Sequence, residues 1–297
     1  MILALKAVMG DKFIMIVLIN YADLRFRKAQ KLNTWSGKHI AKVDKVFEYT
    51  DCNIDDGFRQ RNNHIFSVPT GGGLWLWKPY IVYDALKKMQ DGDILIYCDS
   101  GAFFCRNVRK KFVNMEEDIW VSDIPFVEKQ FSKADAFVIM ECTERCYWES
   151  NQIQGTIFAI RKKRETLDFA AEWLAYCENE YIMSLAPNKM GVENDPSFID
   201  NRWDQTVLSL LCKKRNIVPH RDPSQYGKVP EAYLRMERVI FAPPVHKEKA
   251  NPFLILHRTP DNKLTIIAKQ YLLAILPRRV SLFILKLLRK PELIEAM

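Results

Sequence analysis

The chain has 297 residues, 48% of them hydrophobic, and a formal net charge of +8. That is apolar material for one large core or two modest ones, which argues against a disordered chain, and no internal repeat or low-complexity stretch breaks it up. Seven cysteines, an odd number without framework spacing, argue against a disulfide scaffold and for reduced thiols in a cytoplasmic protein, and no segment approaches the roughly 20 apolar residues of a membrane span.

In chain order, Met1 to Met9 lacks the charged front and cleavage site of a secretory signal. Lys12 to Asn20 reads as a buried strand, Asp23 to about Ile40 as a helix rich in Lys, Arg and Gln, Lys45 to Tyr49 as a second strand, and Ile54 to Asn62 as a short helix. The run Gly71-Gly72-Gly73 reads as a mobile or close-approach loop, or as a plain connection. It leads through Trp75 and Trp77 to a helix predicted from Pro79 to Met89, with proline in its first turn. Asp93 to Cys98 is short, apolar and β-branched, as expected of a central strand, and it ends in Asp99-Ser100-Gly101. Strands alternating with crossover helices predict an α/β fold whose mostly parallel sheet is covered on both faces. Ligands of such sheets sit beyond the carboxyl ends of the strands, which directs Asp99 at the crevice; the same three residues also suit a plain turn.

Further on, Asp135 to Glu141 and Gly155 to Ile160 read as strands, Glu165 to Asn179 and Gln205 to Asn216 as helices, and Met183 to Asp200 as a polar loop. Neither a dinucleotide fingerprint nor a P-loop occurs. Cys142 and Cys146 are four apart, with no second pair to complete a zinc site. Residues 263–297 hold seven of the basic side chains and two acids among many Leu, Ile and Phe, and read as two helices broken at Pro277. Such a tail fits either an anionic membrane surface, through residues 263–290, or a helix packed on the core with a solvated basic face. No recognition motif accompanies the charge, so nucleic acid is not expected as a partner.

Trp75-Leu76-Trp77-Lys78-Pro79-Tyr80, Tyr97-Cys98-Asp99-Ser100-Gly101, Gln154-Gly155, Arg202-Trp203-Asp204-Gln205 and His257-Arg258, in that order, resemble bacterial glycosyltransferases of the GT-A fold that assemble surface polysaccharides. The resemblance spans about residues 13 to 262. It implies a GT-A domain over residues 1–262, with a nucleotide-sugar half over about 12–110 and an acceptor half over about 111–262, followed by the tail 263–297. The implied reaction moves a hexose from a nucleotide sugar, UDP-linked in the leading reading, to a lipid-linked, lipopolysaccharide or capsule glycan at the inner face of the cytoplasmic membrane. A sugar nucleotidyltransferase is the rival enzyme class, but Asn20-Tyr21-Ala22-Asp23 lacks the glycine- and basic-rich loop that class carries after its first strand. A membrane-peripheral scaffold or a nucleic-acid binder is the non-enzymatic alternative.

By the same resemblance Asp99 is the expected ligand of a divalent manganese or magnesium ion, hard cations that suit carboxylate oxygen. Gly101 departs from the family's usual Asp-x-Asp, and His257 is the candidate to complete the ligand set. Arg258, Ser100 and Gly101 are expected near the diphosphate, together with Lys78, where an ammonium and free N–H groups at a helix start favour an anion. Asn20, Tyr21, Asp23 and Asp51 are candidates for the base and ribose, and Gln154 and Gly155 for the sugar. Asp204 would act as general base or steady an oxocarbenium charge beside Gln205, unless it is simply a helix cap. Trp75 and Trp77 would stack on a sugar or base, or belong to the core.

Overall fold

The computed structural model describes residues 14–184, 186–234 and 238–288. The readings of Met1 to Met9, of a first strand starting at Lys12 and of the tail beyond residue 288 fall outside them. Strands run in the order β1 (Ile16–Tyr21), β2 (Lys45–Tyr49), β3 (Ile94–Cys98), β4 (Ala102–Phe104), β5 (Ile119–Trp120), β6 (Asp123–Val127), β7 (Asn151–Ile153), β8 (Ile157–Arg161) and β9 (Leu254–Leu256). The longer helices are α1 (Arg27–Ser36), α2 (Trp77–Lys87), α3 (Arg164–Cys177), α4 (Trp203–Lys214), α5 (Leu264–Ile275) and α6 (Arg278–Leu288).

The fold is α/β. Its central sheet has the order β2-β1-β3-β8-β5; β2 and β3 pair with β1 in parallel, while β8 is antiparallel to both β3 and β5. All strands of this sheet but β8 therefore share one direction. Alternation divides the strands between two cores: Val17, Ile19, Leu95, Tyr97, Phe158 and Ile160 face one, and Ile16, Leu18, Ile94, Ile96, Ile157 and Ala159 the other. Burial on both faces is why β1 and β3 are apolar throughout rather than alternating. The first core is closed by α2, α3 and α4, which supply Ile81, Ala85, Phe169, Trp173, Val207 and Leu211. Into the second come Phe104, Phe112, Phe126, Tyr226 and Leu254, together with Leu273 of α5 and Leu285 of α6.

The tail thus packs on the body of the protein. Lys228 reinforces the join by donating from Nζ to the Ala274 carbonyl, 2.7 Å away, and to that of Leu276. Its other faces are open: Leu264, Tyr271, Leu272 and Ile275 on α5 and Val280, Phe283 and Leu287 on α6 are exposed at helical spacing.

Two segments depart from the sequence expectation. Asp135 to Glu141 is a helix (Ala134–Ile139), not a strand. A short apolar run cannot be assigned by periodicity alone, and here Ala134, Asp135, Ala136 and Phe137 are all fully buried, so no alternation of faces marks the segment. The Asp135 carboxylate accepts from the backbone N–H of Lys189 and Met190, which ties this helix to a distant loop. The glycine run is no slack connection either, because residues 71 to 75 all have positive φ, between 51° and 92°. They form one turn of left-handed helix, with the Leu74 N–H donating to the Thr70 carbonyl at 2.8 Å. Glycine enters this region freely, whereas Leu74 and Trp75 each cost about 1–2 kcal/mol there. Burial of Leu74 and stacking of Trp75 on Trp203, with centroids 4.9 Å apart, offset that strain.

Candidate active site

The carboxyl edge of the sheet gathers the polar residues singled out in the sequence. β1 ends at Tyr21 and β3 at Cys98, and β8, running the opposite way, begins at this same edge with Gln154, Gly155 and Thr156 just before it. Asp99 is fixed there by its N–H donating to the Thr156 carbonyl (2.9 Å) and by the Tyr97 hydroxyl donating to its Oδ1 (2.6 Å). Ser100 donates from Oγ to the Tyr21 carbonyl at 2.6 Å, which locks the end of β3 to that of β1.

Two helix starts point into this edge. Lys78 of α2 and Asp204 of α4 form a buried ion pair with Nζ 2.9 Å from Oδ2, and Asp99 Oδ1 lies 3.7 Å from the same Nζ. The ammonium also donates to the Gly155 carbonyl at 3.2 Å. Burial works against the Lys78 charge, but the carboxylates of Asp204 and Asp99 outweigh it and hold its pKa above that of an ordinary lysine. Burial raises Asp204 to about 6 even though Lys78 pulls the other way. The N-cap residue of α4, Arg202, makes no side-chain cap, and the Asp204 carboxylate is engaged by Lys78. Its neighbour Gln205 accepts from the Gly155 N–H (3.0 Å) and donates to Gln152 Oε1 (2.7 Å).

Two cavities meet at this ion pair. The outer one, about 600 Å³, is lined by Tyr21, Asp23, Asp51, Ser100 and Gly101 and walled by Trp75 and Trp77. Lys78, Gln154, Gly155, Arg202, Asp204 and Gln205 line the inner one, about 240 Å³. Trp75, Asp99, Thr156 and Arg258 border both. In the outer cavity Tyr21 stacks on Trp77 at 3.8 Å and donates its hydroxyl to Asp51 at 2.5 Å. A larger cavity of about 690 Å³ beside the edge strand β5, lined by Glu117, His220 and Glu248 among others, shares no residue with these two. The paired cavities are the better site, because they lie at the carboxyl ends of the strands and hold buried charge.

Two of the sequence candidates are placed elsewhere. Asn20 is fully buried and spends its amide on Asn33, Thr34 and Gln30, a network that fastens α1 to β1. His257 lines neither cavity. Alternation along β9 puts Leu256 against the outer cavity and sends His257 to the opposite face with Ile255, where its ring lies 6.1 Å from that of Phe103. Burial there pushes the imidazole down to about 4; Nδ1 meets Thr259, and Nε2 is buried without a hydrogen-bond partner. The Asp99–His257 ligand pair expected for a divalent ion is therefore not assembled, and among the described residues no three His, Cys, Asp or Glu side chains converge on one point. The carboxylates at the junction, Asp99 and Asp204, already share an ammonium. These residues do not fit a carboxylate-held metal.

Sequence reasoning also missed residues. Arg202 appeared only as a motif neighbour, yet it reaches the inner cavity over the rings of Phe131 (4.0 Å) and Phe126 (4.8 Å). Gln152 is buried and bonds both Arg202 and Gln205, so it positions the inner wall. Backbone strain is a signal that only coordinates carry: Trp75, Trp203 and Arg258, all lining the cavities, have positive φ.

No family model matches the sequence, and no curated protein matches it. Among solved structures, the glycosyltransferase GlyE of Streptococcus pneumoniae TIGR4 is similar over 94% of this chain and 65% of its own, at 12% identity and a TM-score of 0.47. The galactosyltransferase LgtC, solved with donor and acceptor sugar analogues, is similar over 66% of this chain and 70% of its own, at 12% identity and a TM-score of 0.36. Mouse xyloside xylosyltransferase 1 is similar over 75% of this chain and 94% of its own, at 9% identity and a TM-score of 0.38. The chain thus spans just under two thirds of the length of GlyE.

Proposed function

We propose that this chain is a glycosyltransferase of GT-A type that moves a hexose from a UDP-linked donor to a glycan or glycolipid acceptor. The observation that carries the reading is the ion pair of Lys78 with Asp204, flanked by Asp99, at the junction of an aromatic-walled cavity and a smaller polar one. The outer cavity suits a nucleoside: Trp75 and Trp77 offer ring surface, and Asp23 and Asp51 offer acceptors for ribose hydroxyls or base N–H groups. A sugar fits the inner cavity, among Gln154, Gln205 and Asp204. In the transfer the bond from sugar C1 to the phosphate oxygen breaks, and its electron pair leaves on the nucleoside diphosphate. The acceptor hydroxyl oxygen forms the new bond to C1, and its proton passes to the Asp204 carboxylate. With its pKa raised to about 6, Asp204 is ionised at neutral pH yet more basic than an ordinary carboxylate.

The exposed apolar stripes of α5 and α6, with Arg279 and Lys286 exposed beside them, suit the interface of an anionic membrane, where a lipid-linked or lipopolysaccharide acceptor would be held. Among the described residues no helix is long and apolar enough to cross a membrane.

A thermal-shift screen of UDP, GDP, CDP and dTDP tests the reading. One nucleotide, UDP first, is expected to raise the melting temperature, since a ligand that binds only the folded state stabilises it. No shift with any of them at millimolar concentration would count against glycosyl transfer from a nucleotide sugar.

A further inference from the structure

A departing diphosphate needs positive charge beside it, and the residues of this site supply that charge in an unusual way. Asp99 and Asp204, the carboxylates able to share a cation at the junction, hold the Lys78 ammonium between them at 3.7 and 2.9 Å. At position 101, where a second acid would complete an Asp-x-Asp, a β-carbon would stand 3.2 Å from Arg258 Cα and 3.6 Å from Arg258 N. The backbone of Arg258 packs closely against this face of Gly101, and its N–H donates to the Gly101 carbonyl at 2.9 Å. A guanidinium is thereby set beside the strand end where an acid would otherwise stand.

Arg202 supplies a second guanidinium. Its side chain packs over Phe131 and Phe126 and donates to Gln152 Oε1 at 3.3 Å. Arg258 lies over the Tyr226 ring, 5.6 Å from its centroid. Both line the inner cavity; among the described residues neither is in a salt bridge, and the carboxylates of Asp200 and Glu128 act on Arg202 only from beyond ion-pair distance. Burial lowers Arg202 to about 10, and the like charge of Arg258 adds to that effect. Arg202 at the inner cavity and Arg258 at the border of both, each with free donors, make a site at the junction of the cavities for a doubly charged oxyanion, which planar forks bind bidentately.

We propose that side-chain cations replace a divalent metal in this chain: Lys78 takes the cation's place between Asp99 and Asp204, while Arg202 and Arg258 hold the diphosphate. The inference rests on the nucleotide-sugar reading above. Titration calorimetry of the full chain with UDP, or with whichever of GDP, CDP and dTDP gave the thermal shift, tests it in excess EDTA and again with manganese. Affinity is expected to agree within about threefold between the two conditions. Arg258→Gln, at an exposed position, and Arg202→Gln should each weaken the diphosphate by about tenfold or more while leaving the affinity of the free nucleoside unchanged. If Arg202→Gln does not fold, Arg258→Gln decides. Loss of more than about tenfold in EDTA, or manganese bound at one equivalent in the electron paramagnetic resonance spectrum of the nucleotide complex, overturns the metal-free site and leaves the glycosyltransferase reading standing. Equal loss of diphosphate and nucleoside affinity in Arg258→Gln overturns the assignment of that side chain to the phosphates. If no nucleotide binds with or without manganese, both readings fall together.

Discussion

Lys78→Met removes the charge that holds the site together while keeping most of the side chain's volume. At 2.9 Å, and with an effective dielectric constant near 20, the Lys78–Asp204 attraction is about 6 kcal/mol, offset by several kcal/mol of lost hydration on each ion. Truncating one partner leaves a buried charge unpaired, for which about 3–5 kcal/mol is usual, or roughly 6–10 °C in melting temperature for a chain of this size. The penalty is pH-dependent, and its sign follows from Asp204. In the native protein this carboxyl titrates at about 6, above its ordinary 3.8, so the folded state binds the extra proton between those values. Stability from this group is therefore full below about pH 4 and declines by about 3 kcal/mol as pH rises through 6. Without Lys78 the carboxyl titrates higher still, and the decline continues beyond 6. Urea denaturation at pH 5 and pH 8 is the assay: the variant should lose about 3–5 kcal/mol at pH 8 and about half of that or less at pH 5. A loss below about 1 kcal/mol at pH 8, or one equal at both values, would refute the reasoning.

Turnover should fall as pH drops through about 6, because Asp204 takes up the proton it must be free to accept; a pH profile of kcat/KM flat down to pH 4.5 would remove it from the role of base. Asp204→Asn should lose turnover while retaining affinity for the free nucleoside, measured calorimetrically, since Asp204 lines the inner cavity alone. Gly73→Ala places a β-carbon 2.9 Å from Phe66 Cα at a φ of +92°, whereas Gly92→Ala at +95° meets nothing within 4 Å. The first should cost about 3 kcal/mol or more in chemical denaturation and the second about 1 kcal/mol, and equal losses would contradict the packing described around residues 71–75. Phe283→Glu with Leu287→Glu, both at exposed positions of α6, should cut binding to vesicles containing phosphatidylglycerol by at least about tenfold at an unchanged melting temperature; undiminished binding would rule out this face as the contact.

Much of this was legible before any coordinates. The runs that became β1, β2, β3 and β8, and the patterns that became α2, α3 and α4, announce themselves because a strand or a helix is a local period of two or 3.6 residues. An acid closing a buried strand is likewise a local feature, and Asp99 stands at the border of both cavities as its position implied. Where the local pattern was short, as at Ala134–Ile139, burial rather than period chose the helix. His257 shows a different failure: counting by two from Leu256 already turns it away from the cavity, but which face of β9 meets the cavity is set by its pairing with β4.

Composition and order by themselves determined an α/β chain with polar residues waiting at strand and helix ends. Tertiary structure alone decided which of them meet. Lys78 reaches Asp204 across 126 positions, and Arg258 fills the space beside Gly101 from 157 positions away. Pairing at such separations depends on how the helices seat on the sheet, and a charge's partner is chosen by that packing rather than by its neighbours in the chain. For the same reason the proposed exchange of a metal ligand pair for an ammonium and two guanidiniums marks the sequence only at Gly101, and its cations come from segments far apart in the chain.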